Sequence, residues 1–208
     1  FADGLHINGN TYRVYVSDVS GQVGDDLVAL NAYDWKNSSV NFGPMRRVLC
    51  ENLVSPPDGG YNAMRILPGV YQFADGSKVD CAITDLVIDG VSGVNTFKMY
   101  LQTPRYKIGT DPEYGEVGTL GNVFFRNVKI DMSRPADMLE PYMKSDPLRG
   151  TIAAFEFGSR THRVVMERVE VTLHRDRFPH SYIACVGPKS VVAGEYEIFD
   201  PYLSSHVE

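Results

Sequence analysis

The sequence predicts an all-β protein built as a single-stranded parallel β-helix, and three observations predict it. Short strand-like runs rich in Val, Ile, Tyr and Phe dominate, punctuated by Gly, Asn and Asp, while long helical periodicity is nearly absent. The runs fall into two sets of similar segments. The two sets interleave strictly, so each turn of the pattern reads strand, bend, strand, bend, as in a solenoid whose equivalent residues stack from coil to coil.

The first set comprises YRVYVSDV (12–19), RRVLCENL (46–53), VDCAITDL (79–86), GNVFFRNV (121–128) and HRVVMERV (162–169). Aligned on their last residue, they place Val14, Val48, Cys81, Val123 and Val164 in one column. Val16, Cys50, Ile83, Phe125 and Met166 form a second column, the expected interior ladder, and Val19, Leu53, Leu86, Val128 and Val169 a third. Before the third column stand Asp18, Asn52, Asp85 and Asn127, with Arg168 as the exception. Asn and Asp tolerate left-handed backbone and bond their own neighbours, so they suit a recurrent bend.

The second set comprises ADGLHIN (2–8), DDLVALN (25–31), NAMRILP (62–68), TFKMYLQ (96–102), AAFEFGS (153–159) and YIACVGP (182–188). Its inward column is Leu5, Val28, Met64, Phe97, Phe155 and Ala184. Stacked strands lie about 4.8 Å apart, so residues of one column are neighbours in space although far apart in sequence. A β-sandwich of short strands is the alternative, but hairpin signals between adjacent runs are scarce and stacking explains the recurrent Asn/Asp better. Insertions fall at 32–45, 69–78, 103–120 and 131–150, where a solenoid walls a groove. The best helix candidate is Ala136–Lys144, after Pro135.

At 208 residues, 43% hydrophobic and 22% charged, the chain suits one globular domain over 1–208. A net charge of −6 argues against nucleic acid as a partner, because phosphate contacts need surplus Lys and Arg. No apolar run is long enough for a membrane helix, and no signal-peptide pattern opens the chain. The abrupt start at Phe1-Ala2-Asp3-Gly4 reads as a fragment lacking its N-terminal coils. Cys50, Cys81 and Cys185 are odd in number and widely spaced, which fits neither a disulfide framework nor a zinc site. Cys50 and Cys81 lie in apolar runs and read as small core side chains.

The outward positions of the second set carry the chemistry. One column holds His6, Ala29, Arg65, Lys98 and Glu156; the next holds Asn8, Asn31, Leu67, Tyr100 and Gly158. Asp3 and the pair Asp25-Asp26 stand where the first two strands begin. Acids, cations, a histidine and a tyrosine are thus expected on one sheet face within about three coils. Neighbouring carboxylates cannot all ionise cheaply, which suits one of them to proton donation.

Phe1-Ala2-Asp3-Gly4 followed by Gly24-Asp25-Asp26-Leu27-Val28-Ala29-Leu30 resembles the signature of the family 28 glycoside hydrolases, the polygalacturonases, with Asn-Thr-Asp-Gly at one strand start and Gly-Asp-Asp one coil later. The resemblance is specific over 1–31 and continues beyond as coil architecture. It implies a right-handed, pectin-lyase-like β-helix that hydrolyses galacturonate- or galactose-containing glycans with inversion. It further implies an extracellular or periplasmic location, a carbohydrate partner, and no cofactor, metal or membrane. Carried over by position, Asp25 is the proton donor and Asp3 with Asp26 holds the water. His6, Asn31, Tyr61, Arg65, Lys98 and Tyr100 are the expected substrate-binding residues. The chain departs from the family where Gly59-Gly60-Tyr61-Asn62 stands for Gly-His-Gly, with Tyr61 or Asn62 at the histidine's place, and where Lys98 and Tyr100 replace Arg and Lys. His6 is a candidate to stand in for the missing histidine. Trp35 in the 32–45 insertion fits a sugar platform and a packed loop equally. Two rivals share the fold: a polysaccharide lyase, with the acids on Ca²⁺ and Arg65 as base, and a non-catalytic carbohydrate-binding, tailspike-like module.

Overall fold

A computed structural model describes residues 3–33, 41–56, 63–93, 99–101, 118–133, 152–157, 159–177, 181–186, 191–192 and 195–196. Among these there is no helix, and none long and apolar enough to cross a membrane. The helix candidate Ala136–Lys144 lies outside the described residues, as do Trp35, Tyr61 and Lys98.

Two parallel sheets carry the fold. The first contains β1 (Leu5–Asn8), β3 (Val28–Asn31), β5 (Met64–Leu67), β9 (Met99–Leu101), β11 (Ile152–Phe157) and β13 (Ser181–Val186), in that order. The second contains β2 (Thr11–Ser20), β4 (Met45–Ser55), β8 (Ile83–Gly93), β10 (Thr119–Asp131) and β12 (Arg160–Thr172), also side by side in chain order. Every pairing within these two sheets is parallel. The chain visits them alternately, as the interleaved segments require. Parallel neighbours cannot be joined by tight hairpins, which accounts for the scarcity of hairpin signals between them. Two antiparallel hairpins are additions: β6 (Gly69–Gln72) with β7 (Lys78–Cys81), and β14 (Val191–Val192) with β15 (Glu195–Tyr196).

One core fills the space between the sheets. Val48, Cys50, Leu53, Leu86, Ile88, Val91, Val123, Phe125 and Val128 come from the five-stranded sheet, and Val28, Leu30, Met64, Ile66 and Phe155 from the six-stranded one. Phe125 and Phe155 meet edge to face at 5.0 Å, joining the two sheets. Burying one such ring contributes about 2–3 kcal/mol. Cys50 and Cys81 are free, fully buried thiols, as their apolar runs suggest. Burial alone pushes Cys50 up to about 12, and it is the main cause that raises Cys81 to about 11.

The expected bend is real, and β2, β4 and β8 each carry a second one. Asp18, Asn52, Asn127 and Arg168 all have left-handed backbone, with φ of 57°, 55°, 53° and 53°. Arg168 therefore bends like the others. A second column, Arg13, Arg47 and Asp85, is left-handed too, at 59°, 56° and 56°. Side-chain bonds link the bends from strand to strand: Asn52 donates to Asp18 (3.2 Å), Asn127 to Asp89 (2.6 Å) and Arg168 Nε to Asn127 (2.7 Å).

Two alignments need correction. Val16, Cys50, Phe125 and Met166 share the interior ladder, but its middle member is Ile88; Ile83 is buried beside Met45 and Leu120 instead. By the same register Leu86 takes the place read for Cys81, and Val91 that read for Leu86. Val79-Asp80-Cys81 belongs to the hairpin strand β7, and the true repeat is Ile83–Gly93. The error was five residues because the strand's two bends, Asp85 and Gly90, are themselves five apart; Gly90, at φ 74°, completes the Asp18/Asn52 column. In the other sheet Met99, rather than Phe97, pairs with Met64, and Tyr100, rather than Lys98, stands beside Arg65. Met, Tyr and Leu at 99–101 alternate as plausibly as Phe, Lys and Met at 97–99, so the sequence alone left this register open.

Candidate active site

The site forms where β1 and β3 begin, before either strand becomes regular. Leu5 pairs with Val28, and the match runs back past the strand ends: Gly4 N–H donates to the Asp26 carbonyl at 2.9 Å and Leu5 N–H to the Leu27 carbonyl at 3.0 Å. Gly4 permits this approach, since a Cβ there would lie 2.7 Å from the Leu27 oxygen. Asp3 is thereby held against Asp26, whose N–H donates to Asp3 Oδ1 at 3.2 Å. Regular strand geometry would send Asp25 and Asp26 to opposite faces. They lie in the bend ahead of β3 instead, and one oxygen from each of Asp3, Asp25 and Asp26 lies within 4.8 Å of the other two.

Positive and polar groups surround the cluster. Asp26 is fully buried, and Arg65 Nη1 on β5 stands 3.8 Å from its Oδ2. His6 Nδ1 is 2.6 Å from Asp3 Oδ2. On the far side of the ring, His6 Nε2 is 3.1 Å from the amide nitrogen of Asn31, which is fully buried, and 3.3 Å from that of Asn8. Two amide donors on Nε2 fit a neutral ring whose Nδ1–H donates to Asp3. Burial pushes the Asp3 carboxyl up. The His6 hydrogen bond, the Asp26 N–H and the positive charge of Arg65 outweigh it, and the net direction is down.

Asp3, His6, Asp25, Asp26, Asn31 and Arg65 thus form one contiguous constellation. Tyr61 and Lys98 lie outside the described residues, and of Tyr100 only the backbone is described, in register with Arg65 and Glu156. Asn8 is the member that the sequence reading left out; its place beside Asn31 in the outward column was its only signal. The 32–45 and 69–78 insertions together add an aromatic group that begins two residues beyond Asn31. Tyr33 meets Tyr71 edge to face at 5.8 Å, Phe42 stacks on Tyr71 at 4.0 Å, and Phe73 packs on Tyr71 at 4.9 Å while 41% exposed.

Compared with known proteins, the chain matches no family model, no curated protein and no solved structure.

Proposed function

We propose that the chain is a right-handed parallel β-helix and a glycoside hydrolase acting on galacturonate- or galactose-containing glycans. The observation that carries this reading is the carboxylate cluster: Asp3, Asp25 and Asp26 within 4.8 Å, flanked by His6 and Arg65. Two carboxylate oxygens so placed can share one water at ordinary hydrogen-bond distances. Asp3 is a member of the set whose surroundings favour the ionised form, so it can accept a hydrogen bond from the water. Asp3 and Asp26 hold and deprotonate the water, Arg65 balances the buried Asp26, and Asp25, half-buried at the cluster's edge, protonates the leaving oxygen. The water then attacks the anomeric carbon as the glycosidic bond breaks, and the leaving sugar departs with Asp25's proton. Exposed Phe73 offers a ring on which a sugar can stack.

Asp25→Asn should lower kcat on the cleaved glycan at least about 10²-fold with KM nearly unchanged, and an aryl leaving group of low pKa should partly restore it. Near wild-type kcat would remove Asp25 from the role. Inversion is the expected stereochemistry. The short carboxylate spacing also suits a nucleophilic carboxylate and retention, so the anomer released first, followed by NMR, decides between them. Calcium dependence with an ultraviolet-absorbing unsaturated product would replace hydrolysis by elimination, with the acids as ion ligands.

A further inference from the structure

The outer face of the five-stranded sheet bears a pattern unrelated to the candidate active site. Tyr15, Leu49, Val87, Phe124 and Val165 pair strand to strand and form one unbroken apolar row on the side facing away from the core. Tyr15 is 62% exposed, and the other four are half-buried. A solvated sheet face would carry polar residues there, and a contiguous apolar strip on a surface marks an interaction site.

Charge is distributed unequally about the row. Two residues before it stand Arg13, Arg47, Asp85, Asn122 and Arg163; two residues after it stand Ser17, Glu51, Asp89, Arg126 and Glu167. One flank is therefore basic, and Arg13 and Arg47 both stack on exposed Tyr12, at 5.1 and 5.3 Å. On the other flank carboxylates prevail at the first, second and last strands, because Asp18 lies beside Ser17.

From this pattern we infer that the face binds a second copy of the chain about a two-fold axis parallel to the apolar row. That operation lays row on row and turns each basic flank onto the partner copy's acidic one. Residues of the same strand then oppose each other, Arg47 facing Glu51 and Arg163 facing Glu167. The middle strand sets Asp85 against Asp89, whose charge Arg126 balances at 3.0 Å; Glu167 likewise pairs with Arg168 of its own chain, so Arg47 with Glu51 is the pair that decides the charge match. A two-fold across the row would instead set basic flank on basic flank. The row with its two flanks, five strands by five residues lying between the bends, measures about 24 Å by 16 Å, roughly 400 Å² per copy, the size of a weak, reversible contact and about half the about 800 Å² per partner of a stable complex. An isologous contact of this kind closes at a dimer.

The test is sedimentation velocity of the purified chain over a concentration series. Wild type should sediment as a monomer–dimer equilibrium, and Val87→Lys should stay monomeric with an unchanged circular dichroism spectrum. Arg47→Glu and Glu51→Arg should each weaken dimerisation about 10-fold or more, while the double variant restores it to within about 3-fold of wild type. Should Val87→Lys fail to fold, the two charge variants, whose sites lie at the surface, carry the test. A wild type monomeric throughout overturns the inference, as does a dimer indifferent to Val87→Lys or a double variant no better than the singles.

Discussion

Replacing Asn127 by Ala and by Gly tests whether the bends store backbone strain that the Asn side chain relieves. Asn127 sits at φ 53°, donates to Asp89 at 2.6 Å and accepts from Arg168 Nε at 2.7 Å. Alanine loses both bonds and keeps the left-handed backbone. The bonds are solvent-exposed, so about 0.5 kcal/mol each is the fitting end of the usual range, and the left-handed conformation costs an ordinary L-residue about 1–2 kcal/mol. Asn127→Ala should therefore lower stability by about 2–3 kcal/mol. Glycine loses the same bonds but adopts this backbone freely, and its extra cost is about 0.4–1 kcal/mol of unfolded-chain entropy. The order expected is wild type above Gly above Ala, a reversal of the usual ranking of Ala over Gly. Urea unfolding followed by circular dichroism measures it, provided the m-value is unchanged among the three. Alanine equal to or better than glycine would show that the bend carries no strain. The same reasoning gives Arg168→Asn a positive sign, a gain of up to about 0.5 kcal/mol, because the ion pair it gives up with Glu167 is exposed and worth little and the bond from Arg168 Nε to Asn127 is worth only about 0.5 kcal/mol.

Two further predictions concern titrating groups. With Cys50 raised to about 12 and Cys81 to about 11, neither thiol should react with a disulfide reagent at pH 8 in the native protein, and both should react at once in denaturant; modification of either thiol in folded protein would refute their burial. Asp3 is held below its ordinary 3.8, so its stabilising contribution is complete above that value and is lost as pH falls through the lower native pKa. His6→Ala should move the Asp3 carboxyl pKa upward in a ¹³C NMR titration and bring acid unfolding to higher pH, and an unmoved pKa would show that the His6 contact does not hold the proton off.

The alternation of segments between two parallel sheets was legible in the sequence because sheet pairing repeats the same physical demand at every strand. Val, Ile and Leu must point inward at every second residue, and a bend must follow at a fixed offset. The bend column Asp18, Asn52 and Asn127 was legible for the same reason, since few side chains suit a left-handed backbone. The site was legible as far as Asp3, Asp25 and Asp26 occupy two successive strand starts. Register was not legible wherever a segment fits its neighbours in two ways. The two bends of β8, five residues apart, made the displaced alignment of 79–86 as good as the true one, and only hydrogen bonding between whole strands chose Ile88 as the partner of Cys50. The Asp75-Gly76 turn that takes 78–81 into a hairpin is likewise outbid in the sequence by the longer repeat. Tertiary structure alone brought His6 onto Asp3, since residues three apart on a regular strand face opposite ways and only the break before Leu5 turns Asp3 back. It also set Arg65 beside Asp26, because the 36-residue step from Val28 to Met64 has no local signal that fixes which side chains meet across it.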